Sequence, residues 1–274
     1  MRKDAKLLLG VCVALVLFSV TRFLLTVIQF GLNDFWQVGL MLSILFYFVY
    51  DASRKRNLSL TDLRLCLPKR NHSLLFVVLL LPFFWRATAL VFPGKWVSQP
   101  WDAAYWQTIF LPALLHSGFG SGFGEELLFR GYLMKHTETL YGKRKAILVT
   151  SLAFGLMHLG NGNFISIVDI LWTVFYAGML GMIFALLTYS TGSLLYPMIV
   201  HAVCNLFNVF ANASLVGEGQ ARFLYVLHLT NAPSWAIHWI TMIGPVIVLT
   251  LFAAFLTWYD AKHPTKESAL KNSL

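Results

Sequence analysis

The stretch Gly118-Phe119-Gly120-Ser121-Gly122-Phe123-Gly124-Glu125-Glu126-Leu127-Leu128-Phe129-Arg130 sets two adjacent carboxylates and an arginine inside a long apolar run. A charged side chain at the centre of a membrane helix costs about 2.5–3.5 kcal/mol on insertion scales. Three such groups within six residues are not incidental. Ionisable side chains at membrane depth face a protein interior or a wet cavity, and they mark function.

That reading requires a membrane around the stretch, and the composition supplies it. The 274 residues are 58% hydrophobic and only 12% charged, with mean hydropathy +0.67. This balance points to an integral membrane protein. The net charge of +9 does not indicate nucleic acid, because the basic residues cluster in short segments between apolar runs. Cys12, Cys66 and Cys204 form no CxxC pair, so neither a disulfide framework nor a thiolate metal site is expected. The basic N-terminus followed by Leu7 resembles a signal peptide. Its apolar run is too long for one and lacks a small-residue cleavage site, so it reads as a retained span.

A spanning helix needs about 20 mostly apolar residues. The expected fold is therefore all-α, a polytopic membrane protein of about eight transmembrane helices: 7–30, 36–52, 74–92, 108–134, 146–160, 166–189, 193–213 and 235–259. Sixteen of the 21 Lys and Arg residues then fall in segments on the side of both termini, and only Lys95 and Arg222 in the opposite loops. This bias predicts cytoplasmic termini. The basic segment 53–70 reads as a cytoplasmic loop near anionic lipid. Arg22 and Arg86 read as structural, and Trp96, Trp101, Tyr105 and Trp106 as an outer aromatic belt. Small residues at four-residue spacing, including Ala177, Gly181 and Ala185, are accounted for by close helix packing.

Helical geometry divides the charges. Glu126 and Arg130 are four apart and can pair on one face, whereas Glu125 points about 100° away. The pair would make the helix insertable and leave Glu125 facing a cavity as a general base. The glycines before it would give a flexible or broken backbone that admits water or a substrate strand. The fifth span adds His158, and the seventh adds His201 and Asn205 at i and i+4. Two carboxylates, two histidines and an amide form a constellation for activating water and holding an oxyanion. His116 reads as structural and Asp169 as interfacial.

Three elements together resemble one family: Glu-Glu-x-x-x-Arg at 125–130, Phe-x-x-x-His at 154–158, and His-x-x-x-Asn at 201–205, the last preceded by Thr191-Gly192-Ser193-Leu194 and Pro197. They resemble the CAAX-protease and bacteriocin-processing (CPBP, or Abi) intramembrane proteases, which include the Ras-converting endopeptidases. The resemblance covers about residues 108–213 and implies the catalytic core there, between N-terminal helices at 1–107 and a last helix with a tail at 214–274. It implies that Glu125 and His158 activate the attacking water, that His201 and Asn205 stabilise the oxyanion, and that Glu126 and Arg130 support Glu125. It also implies a peptide or protein substrate cut in or near the bilayer, with no nucleic-acid partner; the expected location is a bacterial inner membrane. No cofactor is expected. Zinc is the alternative, although His-Glu-x-x-His is absent.

Other chemistries fit less well. A rhomboid-like Gly-x-Ser-Gly would need glycine where Phe119 stands, and an aspartyl protease would need Asp at Glu125. Cys204 reads as a small apolar helix residue rather than a nucleophile. Buried Glu, Arg and His also suit a proton-coupled transporter or a non-proteolytic scaffold, but no inverted repeat of broken helices is evident.

Overall fold

The computed structural model describes residues 58–68, 72–90, 94–96, 101–161, 166–212, 225–227 and 242–263, with single helical positions at 43, 46, 47 and 50. The expected span 7–30, most of 36–52, Arg22 and Cys12 lie outside the described residues. So do the side chains of Arg86 and His116.

The architecture is helical. Helix α1 (His72–Leu90) carries Pro82 within it. Helix α2 runs without interruption over 103–141, starting where Asp102 Oδ1 accepts the Tyr105 N–H at 2.8 Å and ending at Gly142, whose φ of 81° suits glycine. Helix α3 is Lys143–Met157, extended by a 3₁₀ turn over His158–Asn161. Helix α4 is Ile167–Thr191, α5 Leu195–Phe210 and α6 Gly244–Lys262. Three short strands accompany them: β1 (Gly94–Trp96) pairs antiparallel with β3 (Tyr225–Leu227), and β2 (Ala211–Asn212) pairs parallel with β3.

Two features of α2 differ from expectation. It outruns the span 108–134, and the glycine-rich stretch is neither broken nor irregular. Trp106–Phe110, His116–Glu125 and Leu127–Leu133 are π-helical, wound with i→i+5 hydrogen bonds between α-helical pieces. Such winding is rare and frequent at functional sites. Gly122 serves close approach instead. A Cβ on Gly122 would lie 2.8 Å from the Met198 carbonyl and 2.9 Å from Ala202 Cβ, so α2 packs backbone to backbone against α5. Gly155 does the same for α3 against the Val174 backbone of α4.

The start of α4 is a capping box: Ser166 Oγ accepts the Asp169 N–H at 3.2 Å, and Asp169 Oδ2 accepts the Ser166 N–H at 2.9 Å. Asp169 therefore caps a helix. At its other end α4 stops at Gly192, in the left-handed region with φ 68°. Its 25 residues would span about 38 Å, enough for a bilayer core. Among the described residues, α4 and α6 are long and apolar enough to cross a membrane. The eightfold span count therefore remains an expectation.

The distribution of side chains is that of a membrane protein. Leu148, Leu152 and Leu156 line one face of α3 at 69%, 52% and 50% exposure, and Leu171, Phe175, Leu251 and Trp258 are similarly open on α4 and α6. Glu125, Glu126, Arg130 and His201 are buried. Exposed apolar stripes around a polar centre suit lipid as the surrounding solvent. At the aromatic belt Trp101 and Trp106 are exposed, and both rings pack close together at 5.8 Å.

Segment 58–68 is more than a lipid-facing loop. It folds back as a strap over the junction between α4 and α5. Arg64 O accepts the Leu194 N–H at 2.9 Å, Cys66 O accepts the Ser193 hydroxyl at 2.5 Å, and Leu63 is buried in the core. Arg64, in the left-handed region at φ 59°, pairs with Glu138 at 2.7 Å, and its guanidinium lies over the Tyr189 ring. Beside it Lys143 bridges α3 to Asp260 of α6 at 2.6 Å.

Candidate active site

The central pair forms as the spacing requires. Arg130 Nη1 donates to Glu126 Oε1 at 2.9 Å, with both side chains at 0% exposure. One carboxylate contact alone would not settle so buried a guanidinium. Its Nη2 donates to the Gly181 carbonyl of α4 at 2.9 Å, and its plane lies over Phe154 at 4.3 Å and Phe184 at 5.4 Å. Aromatic faces are a favourable surrounding for a desolvated guanidinium.

Glu126 has a second partner that helical spacing within α2 does not reveal. The same Oε1 takes the His201 Nδ1–H at 2.8 Å, joining α2 to α5 across the bundle. An oxygen already accepting from arginine is an acceptor here, so the bond places a proton on Nδ1 and turns Nε2 the other way. Nε2 then faces Glu125 Oε2 at 3.9 Å, too far for a direct hydrogen bond. Glu125 is 2% exposed, set against a histidine in the protein interior.

His158 closes α3, at its junction with the 3₁₀ turn. Its Nδ1 donates to the Phe154 carbonyl one turn back at 2.8 Å, which again puts the lone pair of the neutral ring on Nε2. Asn205 stands one helical turn beyond His201 on α5 and is half-buried. The structure thus brings Glu125, Glu126, Arg130 and His201 into one contiguous network, with His158 joined to it through Phe154. That ring lies 4.6 Å from His158 and 5.7 Å from His201.

Three contributors were not anticipated. Phe154 is a hub rather than only a motif position. Phe184 stacks on His201 with centroids 4.8 Å apart and planes at 22°. Gly181 supplies a carbonyl to Arg130, where its place in a small-residue row suggested packing alone. An apolar helix gives no sequence signal for such roles.

Among the described residues, no group of three His, Cys, Asp or Glu side chains is arranged to hold a metal ion. Glu126 Oε1 is already committed to Arg130 and His201.

Residues 106–207 match the family model described as type II CAAX prenyl endopeptidase Rce1-like. The match is consistent with the CPBP resemblance of the three motifs, and it takes in all six residues of the site. No curated protein and no solved structure matches the chain.

Proposed function

On the premise of the Rce1-like match over residues 106–207, we propose that this chain is an intramembrane endopeptidase that cuts a peptide or protein substrate at the membrane without a metal. The observation that carries the proposal is the buried relay Arg130–Glu126–His201, whose last ring nitrogen faces Glu125. A purely structural ion pair needs no such continuation.

The roles follow from the proton positions. Glu125 takes a proton from water, with His158 Nε2 as the second acceptor, and the resulting hydroxide adds to the peptide carbonyl carbon. His201 gives Nδ1–H to Glu126, so it can donate from Nε2 only as an imidazolium. In that form it hydrogen-bonds the tetrahedral oxyanion together with the Asn205 amide. When the C–N bond breaks, the leaving amine takes its proton from Glu125. Arg130 balances the charge of Glu126 throughout.

The proposal includes the wider frame: eight spans, a catalytic core at 108–213, cytoplasmic termini and a bacterial inner membrane. The test is cleavage of peptides that accumulate uncut in a deletion strain, using purified protein in liposomes. Glu125→Ala and His158→Ala should each abolish cleavage while the protein inserts and folds, and activity should survive exhaustive chelation. Normal cleavage by both variants would overturn the assignment, and solute transport without cleavage would replace it with a proton-coupled carrier.

A further inference from the structure

Helix α4 carries no ionisable residue at the depth of the site, and neither its composition nor the family match gives it a part in the chemistry. Yet it touches two of the site's groups. The Gly181 carbonyl accepts Arg130 Nη2 at 2.9 Å, and one turn-face further along the Phe184 ring stacks on His201 at 4.8 Å. Phe184 also lies beneath the Arg130 guanidinium at 5.4 Å. The two residues therefore hold both partners of Glu126, one from each side.

From this geometry we infer that Gly181 and Phe184 are positioning residues, which fix the orientation of the His201 ring, Gly181 through the Arg130–Glu126 pair and Phe184 by direct stacking. The inference rests on the protease reading for its kinetic consequence, though not for its structural one.

The steric evidence is specific to position 181. A Cβ there would lie 3.0 Å from Arg130 Nη2, and 3.2 and 3.3 Å from Phe154 Cδ1 and Cβ. The nearest atom is the end of a flexible side chain, so the guanidinium yields first. It cannot move without carrying Glu126 Oε1, the atom that holds His201 Nδ1–H. A side chain as small as alanine is thus transmitted over three residues to the nitrogen that faces Glu125. Phe184 acts on the same ring directly: its face limits the imidazole to one plane, and Phe154 closes it edge-on at 5.7 Å. Displacements of this order, well under the width of an atom, are known to cost catalysis far more than binding.

The experiment uses full-length protein in detergent or liposomes, with Gly181→Ala, Phe184→Leu and, as a packing control in the same small-residue row, Ala177→Val. Three quantities are read for each: kcat and KM for peptide cleavage, the melting temperature, and the hydrogen-bonded Nδ1–H signal of His201 in protein labelled with ¹⁵N-histidine. Gly181→Ala and Phe184→Leu should lower kcat by about tenfold or more with KM within twofold, and should shift or broaden the Nδ1–H signal. Ala177→Val should lower the melting temperature while leaving kcat per folded molecule and the Nδ1–H signal unchanged. The inference is overturned if Gly181→Ala and Phe184→Leu leave the Nδ1–H signal in place, or if kcat falls only as the folded fraction falls. If the parent protein cleaves nothing, the protease reading fails by itself, while the Nδ1–H signal still decides whether these two residues position the ring.

Discussion

Arg130 is held by a carboxylate, a backbone carbonyl and two aromatic faces, and no part of it reaches solvent. Its value lies in what would remain without it. Arg130→Met would leave Glu126 in the interior without its arginine, still bonded to His201. Removing one side of a buried pair costs about 3–5 kcal/mol, whereas removing both with apolar replacements of similar size is often near neutral. Unfolding midpoints in detergent should therefore drop strongly for Arg130→Met and recover in the double variant with Glu126→Leu, although neither variant should cleave peptide. An equal loss in single and double variants would mean that shape at position 130, and not charge balance, holds the helices together. This pair was legible in sequence because its spacing is local. The bond from Glu126 to His201 crosses 75 residues, and no pattern in either helix announces it.

At the scale of elements, hydropathy located the helices well: 74–92 became His72–Leu90, 166–189 became Ile167–Thr191, and 193–213 became Leu195–Phe210. It could not read winding, because a π-helix and an α-helix bury similar apolar residues; hence the unforeseen character of His116–Glu125. Nor could it read the strap, whose anchors Gly192, Ser193, Leu194 and Glu138 lie far along the chain. Within the strap, Asp62 Oδ2 accepts the Ser59 hydroxyl at 2.6 Å and its N–H at 2.9 Å. The hydroxyl bond first, then the backbone bond, hold the Asp62 carboxyl below its usual 3.8, with Lys135 adding a smaller pull. A carboxyl lowered in the folded state stabilises above its unfolded value and loses that contribution as pH falls through the lowered one. Hydrogen-exchange protection of residues 59–65 should therefore be flat from pH 8 to pH 5 and fall only below about pH 4. Protection lost between pH 7 and pH 5 would point to another titrating group.

For the whole molecule the decisive property is its inverted surface. Leu152 is half open to the surroundings on α3, and in water a lysine there would be harmless. In a bilayer it would add about 2.5–3.5 kcal/mol to insertion if it lies at mid-depth. Leu152→Lys should accordingly reduce membrane-integrated protein in a fractionation assay, while Leu152→Phe should not. Equal integration of the two would place that face against protein instead of lipid. The same chain also carries a constraint on its length. In the π-wound stretch His116–Glu125, each residue turns the axis less than it would in an α-helix, so the direction in which Glu125 and Glu126 point is a running total of everything wound before them. Composition at Gly118 is negotiable: a Cβ there meets nothing within 4 Å, and Gly118→Ala should cleave normally. Count is not. Deleting Gly118 would swing both carboxylates around the helix, away from His201 and toward a neighbour that has no use for them, and peptide cleavage should vanish with one missing glycine.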